Sequence, residues 1–122
     1  YFLARRRTIV ARYNEAFADC RNIVTPYQMP DTNSGWHLYI IRVKNRDRKE
    51  VFEKLRERGI GVNVHYIPVY EHPYYQEHGY KGVHCPVAEE VYSHIISLPV
   101  FPRLTEEQQE EVIKVVKQVV EE

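Results

Sequence analysis

The sequence predicts an α+β domain: a small sheet of about three strands, antiparallel or mixed, with helices packed on it. Two observations carry this. The hydrophobic periodicities run helix, strand, helix, strand, long loop, helix, strand, helix along the chain. Helix stop and start signals also fall between those segments, at Asp47, Gly59, Pro86 and Thr105. A length of 122 residues, 43% hydrophobic and 28% charged, fits one globular domain with a modest core.

Residues 1 to about 18 read as an amphipathic helix, with Phe2, Leu3, Ile9, Val10, Tyr13, Ala16 and Phe17 on one stripe. No capping residue precedes it. Arg5, Arg6 and Arg7 sit where the positive end of the helix dipole repels them, so residue 1 is expected to belong to a longer polypeptide. The arginine run itself reads as helix surface. Cys20 to Gly35 is a connecting segment with turns. Trp36 to Val43 is the clearest strand. Trp36, Leu38 and Ile40 fall on one face, and His37, Tyr39, Ile41 and Val43 on the other. Both faces are largely apolar, which predicts cover on both sides, part of it from outside these residues.

Asp47 can cap the next helix, with Glu50 three positions on reaching back. Its buried stripe is Val51, Phe52 and Leu55, and Gly59 suits a left-handed stop. The strand–helix–strand unit formed with the next segment is the size of a βαβ or split βαβ element. That segment, Gly61 to Val69, reads as a short strand running into a proline-stopped loop. Ile60, Val62, Val64 and Tyr66 are expected on one face, and Asn63 and His65 on the other. The first face reads as core; the Asn/His face has no packing reason for its composition.

Ile67 to Val83 is a long loop rich in His and Tyr, interrupted by Pro68, Pro73, Gly79 and Gly82, with room for one helical turn at Pro73 to His78. Pro86 to Ile96 reads as a helix with Val87, Val91 and Ile95 as its apolar stripe. Glu89 and Glu90 favour its first turns and otherwise read as a solvated face. Ser97 to Phe101 is a short strand that Pro99 confines to an edge or a strand end. Thr105 and Gln108 form a capping box for a last helix whose stripe is Val112, Ile113, Val116, Val119 and Val120.

Composition excludes several functions. Seventeen basic and seventeen acidic residues leave no net charge to attract nucleic acid or an anionic membrane. No apolar run approaches the ~20 residues that span a bilayer. Two distant cysteines, Cys20 and Cys85, argue against a disulfide framework and fit a reducing cytoplasm. Five of the six histidines lie between His65 and His94, close to Cys85, yet their spacings match no zinc motif, so solvated loop histidines are expected and no metal. Neither the serines nor the cysteines sit in a nucleophile motif, and no glycine-rich loop leads into a helix. The tyrosines concentrated from Tyr66 to Tyr92 suit either a loop packed on its own sheet or a binding face. His65 is the remaining candidate: it ends a strand, neighbours Asn63, and enters a long aromatic loop.

Several stretches taken in order resemble a known family. They are Arg5-Arg6-Arg7-x-Ile9-x-x-x-Tyr13-x-x-Ala16-Phe17, Trp36-His37-Leu38-Tyr39, Gly59 through Val69, His72-Pro73-Tyr74-Tyr75, Gly79-Tyr80, Pro86-x-Ala88-Glu89, and Ile96 through Pro102 with Leu104. Together they are similar to the C-terminal part of the DegT/DnrJ/EryC1/StrS nucleotide-sugar aminotransferases, which are pyridoxal-phosphate enzymes. Val62 to Val69 looks most like the members acting in pseudaminic-acid biosynthesis. Those members aminate C4 of a UDP-4-keto-6-deoxy-N-acetylhexosamine with glutamate as donor; perosamine-type and other sugar aminotransferases are the nearby alternatives.

The resemblance implies fold type I, with residues 1–122 as the C-terminal small domain and the pyridoxal phosphate held by a large domain. It implies a cytoplasmic homodimer with active sites at the subunit interface. None of Lys44, Lys49, Lys54, Lys81, Lys114 and Lys117 has the family's Schiff-base context, so no catalytic residue and no cofactor contact is expected here, and the piece is expected to be inactive alone. By resemblance, His65 and Tyr66, and less directly Asn63, would contact the nucleotide-sugar or the donor glutamate. Trp36 and His37 match the family too, but are expected to pack. The competing expectation is an independent α+β module binding a ligand or protein through its Tyr/His loop.

Overall fold

The computed structural model describes all residues from Tyr1 to Glu122. Its elements are α1 (Phe2–Phe17), β1 (Ile23–Val24), β2 (Tyr39–Val43), α2 (Arg48–Glu57), α3 (Pro73–Tyr75), α4 (Pro86–His94), β3 (Ile95–Leu98) and α5 (Glu106–Glu121). A 3₁₀ turn at Val69–Glu71 leads into α3, and a wider turn at Gln76–Tyr80 follows it. The three strands form one antiparallel sheet in the order β1-β2-β3, so the predicted α+β architecture holds.

Central strand β2 turns Tyr39, Ile41 and Val43 into the core, each 0% exposed, while Ile40 is half-buried and Arg42 exposed. Residues 1–122 thus cover β2 on one face only, whereas the four residues of β3 are all buried. The core joins the inner face of β2 to α1 (Ile9, Val10, Tyr13, Phe17), α2 (Val51, Leu55) and the whole predicted stripe of α5. Phe2 and Leu3, predicted on the α1 stripe, stay exposed beyond the reach of that core.

Capping chemistry sets both ends of α2 and the start of α5. Asp47 Oδ1 accepts from the Glu50 N–H at 2.8 Å, and at α5 both arms of the Thr105/Gln108 box form, at 3.0 and 3.1 Å. At the end of α2, Gly59 takes φ +81°. The Ile60 N–H donates to Leu55 O and the Gly59 N–H to Arg56 O, the paired bonds of a Schellman stop. Gln109, facing the core among valines, donates to Ile9 O at 2.7 Å and ties α5 to the middle of α1. Arg5 is not plain helix surface: its guanidinium donates to Leu104 O at 2.8 Å and to Pro102 O at 3.4 Å.

Three strand predictions need correction. Trp36 to Leu38 lie outside β2, and Trp36 has φ +47°. In the register Tyr39↔Leu98 the next partner would be Pro99, which has no N–H to extend the ladder. Ile95 and Ile96 leave the predicted helix for β3 because pairing with Arg42 and Ile41 satisfies their backbone and suits their β-branched side chains. Gly61 to Val69 is not a strand: its backbone makes one isolated bridge, Asn63↔Ser97, with bonds of 2.7 and 3.2 Å. The Asn63 side chain then accepts from the Val64 N–H at 2.8 Å, competing with the ladder and ending it after one pair. The missing strand is supplied by Ile23–Val24, inside the predicted connecting segment, paired with Val43 and Arg42.

Candidate functional site

Where the chain leaves the Asn63–Ser97 bridge, His65 and Tyr66 come to border one open groove of about 550 Å³. Pro68 and Cys85 line it from the loop, and α4 lines it through Val87, Ala88, Val91 and Tyr92. The alternation expected for a strand would send His65 and Tyr66 to opposite faces. Once the ladder ends at Asn63 that constraint is gone, and their rings lie 4.7 Å apart across a cis peptide bond. Tyr66, expected in the core, is 65% exposed. Asn63 does not reach the groove; its side chain is occupied by the Val64 N–H.

His65 is half-buried, and its Nδ1 lies 2.9 Å from Ser97 Oγ. Ser97, paired through its backbone with Asn63, is 4% exposed. Nothing in the sequence pointed to Ser97, which stands in no nucleophile motif and 32 residues away from its partner.

Val87 was predicted on a buried stripe, but at the start of α4 it is 78% exposed. It stands on the groove wall instead.

Glu89 also departs from expectation. It is not a solvated carboxylate: its Oε1 accepts from the Tyr70 hydroxyl at 2.8 Å and the Cys85 N–H at 3.2 Å, with His84 Nδ1 at 3.3 Å. The Cys85 N–H is shared with the Tyr70 oxygen, also at 3.2 Å. This clasp pins both ends of the loop between Tyr70 and Cys85 to the start of α4. The bond from Tyr70, with the others, holds the Glu89 carboxyl below its ordinary range. Desolvation, helped by Glu89, pushes the Tyr70 phenol up to about 12. The only sequence hint was an acid one turn after a proline-started helix, placed to reach back to the N-terminal N–H groups.

The sign of the pH dependence follows. Glu89 has a depressed folded pKa, so its contribution is complete above the ordinary carboxylate value of 4.5 and is lost as pH falls through the folded value. Tyr70 is raised, so its contribution is complete below 10 and is lost as pH rises through about 12. The clasp is therefore whole across neutral pH. Glu89→Ala is expected to accelerate hydrogen exchange at the Cys85 amide at pH 7, while amides of α5 exchange as before. Unchanged exchange at Cys85 would show that the clasp does not hold the loop.

The groove's chemistry is limited. Its lining holds no lysine, arginine, aspartate or glutamate, so it cannot form a Schiff base. An apolar wall with a few hydrogen-bonding groups suits holding and orienting a ligand. Elsewhere the histidines do not converge: no three His, Cys, Asp or Glu residues gather where they could hold a metal ion.

Comparison with known proteins agrees with this architecture. The sequence model described as the DegT/DnrJ/EryC1/StrS aminotransferase family matches residues 1–117. The spore coat polysaccharide biosynthesis protein SpsC of Bacillus subtilis is 37% identical over 122 residues, covering 95% of this chain and 31% of that protein. DesV of S. venezuelae superimposes with a TM-score of 0.88 at 32% identity, over 99% of this chain and 32% of that one. PseC of Helicobacter pylori, an aminotransferase involved in pseudaminic-acid biosynthesis, does so with a TM-score of 0.89 at 27% identity, over 98% and 33%. The chain thus spans about a third of the length of the relatives it matches.

Proposed function

The chain belongs to the DegT/DnrJ/EryC1/StrS aminotransferase family, and from that premise we propose that residues 1–122 are the C-terminal small domain of a pyridoxal-phosphate-dependent sugar aminotransferase. In this reading the domain is one wall of the active site and not its reactive centre. The observation that carries it is the groove itself, which offers an imidazole, a phenol and an apolar face but no amine.

The residues present do not fit covalent attachment of the cofactor. Lys54 is held by Glu50 at 2.8 Å and Glu122 at 3.5 Å, and Lys44, Lys49, Lys81, Lys114 and Lys117 are exposed away from the groove. The proposal accordingly assigns the Schiff-base lysine to the large domain of the parent. Pyridoxal phosphate supplies the electron sink for amino transfer there, and this chain's part is to bind and orient.

The proposed substrate is a nucleotide-linked 4-keto-6-deoxy sugar, with glutamate as amino donor. The Val62–Val69 stretch is what favours a sugar of the pseudaminic-acid type; PseC and DesV share the fold alike. His65 is assigned a hydrogen bond to the sugar-nucleotide, and Tyr66 a stacking or hydroxyl contact beside it. Asn63 supports the bridge that positions both. A homodimeric parent in the cytoplasm, with sites at the subunit interface, is part of the same proposal and rests on the family.

The test compares two proteins. The full-length parent should show Schiff-base absorbance and glutamate-dependent amination of the keto sugar; the 122-residue chain should show neither. Pyridoxal bound as a Schiff base by the chain alone, or a parent without transaminase turnover, would overturn the proposal.

A further inference from the structure

The contact between Ser97 and His65 decides which nitrogen of the imidazole carries the proton. Ser97 sits inside β3, 4% exposed, with its backbone N–H and C=O both bonded to Asn63. Its hydroxyl has one partner, His65 Nδ1 at 2.9 Å. A hydroxyl has one hydrogen to donate, and a neutral imidazole has one N–H and one bare nitrogen. Two arrangements satisfy the distance. With the proton on Nδ1, the ring donates to Ser97 Oγ and the hydroxyl hydrogen is left in a buried strand without an acceptor. With Nδ1 bare, Ser97 donates to it and both groups are satisfied. An unmade bond from a buried donor is the costly case, so the second arrangement wins. The imidazole proton is then on Nε2, which has no hydrogen-bond partner in the chain, and the ring borders the groove.

We propose that Ser97 is a positioning residue that holds neutral His65 in its Nε2–H form, so that His65 meets a ligand in the groove as a hydrogen-bond donor. The matching ligand atom is an oxygen acceptor: a hydroxyl, carbonyl or phosphoryl oxygen of the substrate. A ligand ammonium or amide N–H placed there finds no acceptor on His65. The tautomer follows from the buried hydroxyl alone; the ligand class rests on the groove being the substrate wall proposed above.

Long-range proton–nitrogen correlation spectra of the 15N-labelled 122-residue chain at neutral pH read the tautomer directly, with the His65 signals assigned by their loss in His65→Gln. The expected result is a predominantly Nε2–H imidazole in the wild type and a mixture of tautomers in Ser97→Ala. A predominantly Nδ1–H ring in the wild type would overturn the proposal whether or not the variant folds, and so would an unchanged tautomer ratio in folded Ser97→Ala. In the full-length parent, Ser97→Ala should raise KM for the nucleotide sugar about three- to tenfold, the worth of one misdirected hydrogen bond, with kcat largely retained. A tautomer change without any change in KM would leave Ser97 as the positioning residue and remove the groove from the substrate site.

Discussion

Tyr13→Ala is expected to destabilise the domain by about 3–5 kcal/mol, the range for removing a buried aromatic ring. Tyr13 is fully enclosed, its ring centroid 4.9 Å from that of Tyr39 and 5.8 Å from that of Phe17. Its hydroxyl donates to Pro99 O at 2.8 Å, just past the end of β3. The substitution therefore opens a cavity between α1 and β2 and strands a carbonyl that only Tyr13 reaches. Tyr13→Phe separates the two effects: it keeps the ring and should cost about 1 kcal/mol for the lost hydrogen bond. Burial, with Tyr39 alongside, raises the Tyr13 phenol far above its ordinary range, so the hydroxyl remains a donor at any physiological pH. Urea titration of both variants checks this. A loss below about 1 kcal/mol for Tyr13→Ala would mean that the cavity closes by repacking. Because Pro99 follows the strand that carries Ser97, the same anchor bears on the site.

His65→Ala in the full-length parent is expected to raise KM for the nucleotide sugar by about ten- to a hundredfold, which is ~1.5–3 kcal/mol for a hydrogen bond to a strongly polar or charged acceptor. Schiff-base absorbance should be unaffected, since no lysine borders the groove and the cofactor is assigned to the large domain. Steady-state kinetics with the absorbance spectrum tests both halves. Unchanged kinetics would remove His65 from the substrate wall. A lost Schiff base with the fold intact would place His65 at the cofactor instead.

The candidate site was half legible in the sequence. His65 stood out because a polar residue at a strand end has no packing role to explain it, whereas Tyr66 was read as core and became a candidate only through the family resemblance. Their convergence on one groove was not legible, since it depends on Asn63 turning its side chain onto the next N–H and ending the ladder. Ser97 gave no signal: on its own strand it is a small residue flanked by Ile96 and Leu98, and its importance lies in a partner 32 residues earlier. Glu89 looked like helix surface because Tyr70 and Cys85, its partners, lie on a loop whose path no periodicity describes.

What the sequence determined by itself is what local physics controls. Asp47, Gly59 and the Thr105–Gln108 box set helix ends through bonds spanning a few residues, and the α5 stripe needed only the 3.6-residue repeat to find its buried face. The ordered motifs likewise carried the family. Tertiary structure alone decided where the strands begin and end and which residues meet in the groove. Ile23–Val24 is a strand because Val43 and Arg42 lie beside it, and Ile95 leaves its helical stripe because Arg42 offers a partner. Backbone pairing and buried hydrogen bonds join residues far apart in the chain, so their free energy is gained only once the fold has brought the partners together.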